Sequence, residues 1–263
     1  MSSFCGFGVG AYGCNIRAEA ACPEARTVLE HYVFPSLPRV VSTEDEPDIF
    51  IRIIRVMDQF QLLVDDVVVA SGGQAISLVP DLINVLDRAV IQRLTTLHAV
   101  HAGTVLWGGR ALLLPGATHA GKSSLVAELL RQGATYFSDE YALIDPDGRV
   151  HPYPRPLLLR NGCPGQSPVL PEECNAAVGN APAPVAWILS LEYQATGTWS
   201  ILPVPQSVAL VTLLRNTPHA LAESPKMVGA FQRAVAGAAC YAGSRSEAVH
   251  AVDQILRLMN SSS

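Results

Sequence analysis

The stretch Gly116-Ala117-Thr118-His119-Ala120-Gly121-Lys122-Ser123 is compatible with few folds, because of what lies on either side of it. It follows the pattern Gly, four residues, Gly, Lys, then Ser or Thr, which marks a phosphate-binding loop between a strand and a helix. Leu112, Leu113 and Leu114 before it read as a short buried strand. Ser123 to Gln132 after it carries Leu125, Val126, Leu129 and Leu130, which is helical spacing. The residue types suit the chemistry. Gly116 and Gly121 let the backbone turn tightly and approach phosphate oxygens, so that bare N–H groups face the anion at the positive end of the helix. Lys122 reaches the terminal phosphates, and the Ser123 hydroxyl holds a magnesium ion. Ala117, Thr118, His119, Ala120 and Ser124 complete the expected phosphate contacts, His119 chiefly through its backbone.

The rest of the chain fits a folded, water-facing protein. Of 263 residues, 49% are hydrophobic and 16% charged, which predicts a sizeable core and argues against disorder. The net charge is −5 and the 18 Lys and Arg residues are scattered, so no footprint for nucleic acid is present. No apolar run has the length to span a bilayer. The N-terminal residues lack the pattern of a secretion signal, and a cytoplasmic location is expected. The six cysteines (Cys5, Cys14, Cys22, Cys163, Cys174 and Cys240) include no Cys-x-x-Cys pair or zinc spacing and read as free thiols.

Two regions are expected: a small α+β N-terminal domain over 1–97 and a catalytic domain over 98–260. In the first, Asp48–Val56 and Phe60–Ala70 read as strands and Leu78–Leu97 as a helix. His98, at that helix end, reads as a surface residue. In the second, Thr104–Trp107 and Arg110–Leu114 form a hairpin about Gly108 and Gly109, a connection suited to the primed turns. Pairing Trp107 with Arg110 and counting down the ladder sets His101 opposite Gly116. The helix stops near Gly133 and feeds the strand Thr135–Ser138, parallel to the strand before the loop by a right-handed crossover. Asp139 and Glu140 then fall at the edge of the sheet that carries the loop, where open α/β sheets bind ligands. Tyr141–Ile144 and Arg149–Val150 flank a turn at Asp145-Pro146-Asp147-Gly148. Pro152, Pro154 and Pro156 make a stiff extended segment leading to Leu157–Arg160, and residues 161–184 read as a mobile loop or lid. Val185–Tyr193 and Thr198–Pro203 read as strands. Val208–Arg215, Met227–Ala238 and Ser246–Met259 read as helices. Arg155 and Arg160 suit either phosphate clamping or surface packing.

His101, the loop and Asp139-Glu140 together resemble the catalytic domain of the HPr kinase/phosphorylase family. Members carry a histidine fifteen residues before the first loop glycine and adjacent acids seventeen and eighteen after the loop lysine, as His101, Asp139 and Glu140 stand here. Phe137-Ser138-Asp139-Glu140-Tyr141, with Pro154-Arg155-Pro156-Leu157, is similar to the branch called HPr-kinase-related kinases. The resemblance covers roughly 98–255 and implies a P-loop kinase core of the HPr kinase/phosphoenolpyruvate carboxykinase type. It implies transfer of the γ-phosphoryl group of ATP, with Mg²⁺, to a serine-type hydroxyl of a peptide, protein or small metabolite. Lys122 would hold the β- and γ-phosphates, and Ser123 and Asp139 the metal. Glu140 would activate the acceptor, and His101 would orient or neutralise charge beside the phosphates. Family kinases are often oligomers. Here Glu140 replaces the family's second aspartate, and its Glu-x-Arg-Gly signature is absent; Glu172 and Glu173 match no motif. The reverse phosphorylase reaction and the protein HPr as acceptor are therefore not carried over. Two other readings stay open: a nucleotide-binding regulatory module without catalysis, and a phosphoenolpyruvate carboxykinase-like phosphotransferase.

Overall fold

The computed structural model describes residues 5–35, 37, 39–40, 46–117, 120–160, 165–218 and 225–261. The chain forms two compact units, Met1–Thr95 with Arg160–Pro168, and Thr96–Leu159 with Val169–Ser263. The architecture is mixed α/β, with six α-helices among the described residues.

The first unit is built on a six-stranded sheet of order β3-β1-β2-β4-β5-β6. Its strands are β1 (Cys5–Ala11), β2 (Cys14–Ala20), β3 (Arg39–Val40), β4 (Ile49–Val56), β5 (Gln59–Val64) and β6 (Val67–Gly72). Helices α1 (Pro23–Tyr32) and α2 (Val79–Arg93) pack on it. The single run expected over Phe60–Ala70 is two strands. Asp65 and Asp66 turn the chain at φ of 48° and 68°, a left-handed conformation that aspartate tolerates better than most residues. The helix expected to reach Leu97 ends at Arg93, because Leu94 takes an extended ψ of 125°.

The second unit holds β7 (His98–Trp107), β8 (Arg110–Pro115), α3 (Lys122–Arg131), β9 (Thr135–Ser138), β10 (Tyr141–Ile144), β11 (Arg149–His151) and β12 (Leu157–Leu159). After β13 (Ser167–Val169) it continues with β14 (Ala183–Tyr193), β15 (Ser200–Pro203), α4 (Gln206–Arg215), α5 (Pro225–Ala236), β16 (Ala239–Arg245) and α6 (Ala248–Ser261). The hairpin register is the one the Gly108-Gly109 turn dictates, from Trp107 opposite Arg110 to Ala102 opposite Pro115. One step further, the Gly116 N–H donates to the His101 carbonyl at 3.2 Å. β7 pairs antiparallel with β8 on one side and with β9 and β10 in line on the other, so β9 runs parallel to β8 with β7 between them. β14 lies parallel to both β8 and β16.

The unbroken apolar character of Leu112-Leu113-Leu114 follows from cover on both faces of this sheet. Leu112 and Leu114 point to α3 and α6, packing with Val126 and Ile255. Leu113 points the other way, to α4 and α5, with Leu213 and Phe231. All three leucines are buried.

Residues 161–184 differ from the lid expected of them, in their described part. Cys174 and Ala176 are buried in the α3-side core. The Tyr136 N–H donates to the Ala177 carbonyl at 2.8 Å, and the Gly179 N–H to the Tyr136 carbonyl at 2.9 Å, which extends the sheet beside β9. Small residues make this fit: a Cβ on Gly179 would fall 2.1 Å from the Phe137 ring. Periodicity could not reveal a segment held by backbone pairing and a few small side chains. Residues 161–164 lie outside the described residues.

Gly103 lets the first turn of α3 settle on β7. A Cβ there would stand 2.7 Å from Val126 Cγ2 and 3.7 Å from Lys122 Cβ. Gly103→Ala therefore overpacks the helix seat and is expected to cost about 1–3 kcal/mol. Urea unfolding checks this through a lower midpoint at unchanged slope.

Candidate active site

The site gathers where β8 ends, α3 begins and the β9–β10 strand bends. Gly121 is the hinge between loop and helix. It has φ of +74°, and a Cβ would fall 2.4 Å from the Arg245 guanidinium, so conformation and space both demand glycine. At Gly116 a Cβ would press on Ala120 Cβ at 3.3 Å. The Ala120 N–H donates to the Ala117 carbonyl at 3.2 Å, which tightens the loop. Thr118 and His119 lie outside the described residues. Ser123 is half-buried in the first turn of α3, and Ser124 is exposed.

Lys122 is 8% exposed and points back along the loop, with Nζ donating to the carbonyls of Gly116 at 2.9 Å and Ala117 at 3.1 Å. Burial lowers its pKa below the ordinary lysine value. Glu140 and Asp139 oppose that shift without cancelling it, and Arg155 adds to it.

The acidic pair occupies a bend between two strands that run in line. Ser138 organises it, its hydroxyl accepting the N–H groups of Glu140 at 3.3 Å and Tyr141 at 3.0 Å. The Ala102 N–H donates to the Glu140 carbonyl at 3.0 Å, which fastens the bend to β7. Asp139 is fully buried. Its Oδ1 accepts from the Tyr136 hydroxyl at 3.2 Å, while Oδ2 has no hydrogen-bond partner among the described residues. Glu140 is partly open, and its Oε1 lies 3.1 Å from His101 Nδ1. The ring of His101 is tilted over Tyr141 at 4.5 Å between centroids.

Arg155, which the sequence leaves between two roles, belongs here. The extended Pro152–Pro156 segment carries it past β9, with the Tyr153 N–H donating to the Phe137 carbonyl at 2.9 Å. Arg155 is 6% exposed, with Nε 3.3 Å from Asp139 Oδ1 and Nη2 3.8 Å from Glu140 Oε2. The Tyr136 hydroxyl ties its carbonyl at 2.8 Å. Arg160 is exposed, as are Glu172 and Glu173, and Glu173 caps the short turn at Leu170. His98 is not a helix-end residue. It opens β7 and packs edge-on against Phe231 at 6.2 Å, with its pKa lowered by burial.

Every described residue expected at the site except Ala117 and Ser124 is thus buried or partly so, and His101, Lys122, Asp139 and Glu140 form one electrostatic cluster. The chain matches no protein family profile and no curated protein. No helix among the described residues is long and apolar enough to cross a membrane. Among the described residues no three His, Cys, Asp or Glu side chains gather to hold a metal by themselves. A magnesium ion does not need such a cage, since it commonly takes one or two carboxylates and completes its shell with phosphate and water. The unbonded Asp139 Oδ2 fits that requirement.

The charge balance at Glu140 makes a measurable prediction. Burial favours the protonated acid, but the hydrogen bond from His101 and the charges of Lys122 and Arg155 outweigh it, and the pKa is held below the ordinary glutamate value. A carboxylate whose folded pKa is depressed adds stability above its unfolded pKa, and that stability is lost as pH falls through the folded value. Glu140→Gln should therefore lower the melting temperature near neutrality. The difference from wild type should shrink as pH falls below the ordinary glutamate range. Thermal melts across an acid series measure it.

Proposed function

We propose that the protein is an ATP-dependent phosphotransferase of the HPr-kinase-related type, with a P-loop kinase core, that passes the γ-phosphoryl group to a hydroxyl acceptor. The observation that carries this reading is that β7 holds a glycine-hinged loop and the acidic bend together, the Gly116 N–H bonding to the His101 carbonyl and the Ala102 N–H to the Glu140 carbonyl, with Lys122 buried at the loop's end. Phosphoryl transfer asks a protein for positioning and charge neutralisation more than for covalent chemistry. The loop N–H groups and Lys122 would hold the β- and γ-phosphates. Ser123 and Asp139 would hold Mg²⁺, which supplies neutralisation of the phosphate charge. Lys122 leaves its two carbonyl partners in the loop for the stronger attraction of a phosphate.

Glu140 has the part of acceptor base. Its lowered pKa keeps it ionised at neutral pH and makes it a modest base. That suits a loose transition state, in which the acceptor proton leaves late and the carboxylate chiefly orients the hydroxyl. His101 holds the Glu140 carboxylate by its hydrogen bond, and Arg155 steadies both acids. The acceptor class is a serine-type hydroxyl on a peptide, protein or small metabolite. Incubation with γ-labelled ATP, Mg²⁺ and a panel of hydroxyl acceptors tests the reading. Label transfer supports it, and nucleotide binding without transfer to any acceptor would favour a regulatory module instead.

A further inference from the structure

The carbonyl side of the loop is held by a residue to which the phosphotransfer reading gives no part. Arg245 ends β16 and is 3% exposed. Its Nη2 donates to the carbonyls of Gly121 at 2.9 Å and Ala120 at 3.2 Å, and its Nη1 donates to the Ser246 carbonyl at 2.8 Å. The guanidinium lies over the Tyr193 ring, 5.3 Å from the centroid, and the Tyr193 hydroxyl in turn donates to Glu247. The side chain is thus fixed from β14 and from the start of α6, and it meets the loop at the glycine where no Cβ would fit.

Peptide geometry gives this contact a consequence. In a planar trans peptide the C=O and the next N–H point in opposite directions. Arg245 draws the carbonyls of Ala120 and Gly121 to its own side, and the Gly121 carbonyl also accepts the first helical bond from the Leu125 N–H at 3.2 Å. The N–H groups of Gly121 and Lys122 must then face the opposite side. We propose that Arg245 is a positioning residue of the phosphate loop: it holds the loop's carbonyls on one side so that the Gly121 and Lys122 N–H groups face the phosphates on the other. Its buried charge also stands behind the loop as a second cation, beyond Lys122. This inference rests on the phosphate-site reading above.

The test is calorimetric titration of the full chain with inorganic pyrophosphate and with MgATP, for wild type, Arg245→Met and Arg245→Lys. Arg245→Met should weaken both ligands by about 10- to 100-fold, the range for losing a group that orients ligating atoms. Arg245→Lys, which restores the charge and donors without the planar fork, should recover part of that loss. A role in folding alone would lower the melting temperature and leave pyrophosphate affinity unchanged. Wild-type affinity in a folded Arg245→Met protein would overturn the positioning role and leave the phosphate site standing. Failure of the wild type to bind either ligand would overturn the phosphate site, and this inference with it. Should Arg245→Met not fold, Tyr193→Leu decides, because it keeps Arg245 and removes its stacking surface. Weaker pyrophosphate binding supports the proposal, and unchanged binding overturns it.

Discussion

Replacing Glu140 by Gln should abolish most phosphoryl transfer, by about 10²- to 10⁴-fold, while ATP affinity stays within a few-fold of wild type. The amide keeps the shape of the side chain and one hydrogen-bonding oxygen for His101, so the bend at Asp139-Glu140 should survive. It removes the negative charge that, in the proposed reaction, would orient the acceptor hydroxyl and finally accept its proton. It also removes one of the two carboxylates that partner Lys122 and Arg155. Nucleotide binding should change little, because neighbouring Asp139 keeps its place at the proposed metal position. Initial rates of label transfer and a parallel ATP titration separate the two effects. Equal loss of binding and transfer would mean that Glu140 serves the nucleotide and not the acceptor.

Lys122→Met should strike both quantities. Methionine fills a similar volume, and burial already penalises the lysine charge, so the fold should tolerate the exchange. The terminal phosphates would lose their one mobile cation in the loop. Removal of a single transition-state donor from a site of this kind typically costs about 10²- to 10³-fold in rate. Affinity for ATP should fall more than affinity for adenosine, because the proposed partners of the lysine are the phosphates. Equal affinity of wild type and variant for ATP would separate Lys122 from the phosphate site.

The sequence reveals those parts of the site that local rules control. A two-residue glycine turn has few solutions, so the register from Trp107 back to His101 can be counted off residue by residue. The leucine run, the helical spacing after Ser123 and the three prolines around Arg155 likewise state their own conformation. What stays hidden is long-range or made of small residues. β16 reads Ala-Cys-Tyr-Ala-Gly-Ser-Arg, with no β-branched residue to announce a strand. The reason is packing: a Cβ on Gly243 would lie 1.9 Å from the Ser200 carbonyl of β15. With that strand unseen, Arg245 has no place in a reading from sequence, although it closes on the loop across more than a hundred residues. A lone arginine following Gly-Ser shortly before a helix was the only signal. The first hairpin of the chain is hidden for a similar reason. β1 alternates glycine with other residues, and β2 buries Cys14, Ile16, Ala18 and Ala20, mostly small side chains of weak strand preference. Arg155 shows the complementary limit, since its backbone is legible while its partners, sixteen and fifteen residues earlier, are set by the bend at Ser138.

The central claim is that Lys122, Asp139 and Glu140 surround the phosphates of a bound nucleoside triphosphate. A crystal structure with a non-hydrolysable ATP analogue and Mg²⁺ addresses it most directly. The account predicts the triphosphate on the loop N–H groups, Lys122 Nζ turned from the Gly116 and Ala117 carbonyls to the terminal phosphates, the metal on Ser123 and Asp139, and Glu140 facing the γ-phosphate across a space open to a hydroxyl. A nucleotide seated elsewhere, or one whose γ-phosphate is shielded from Glu140 by protein, would contradict it.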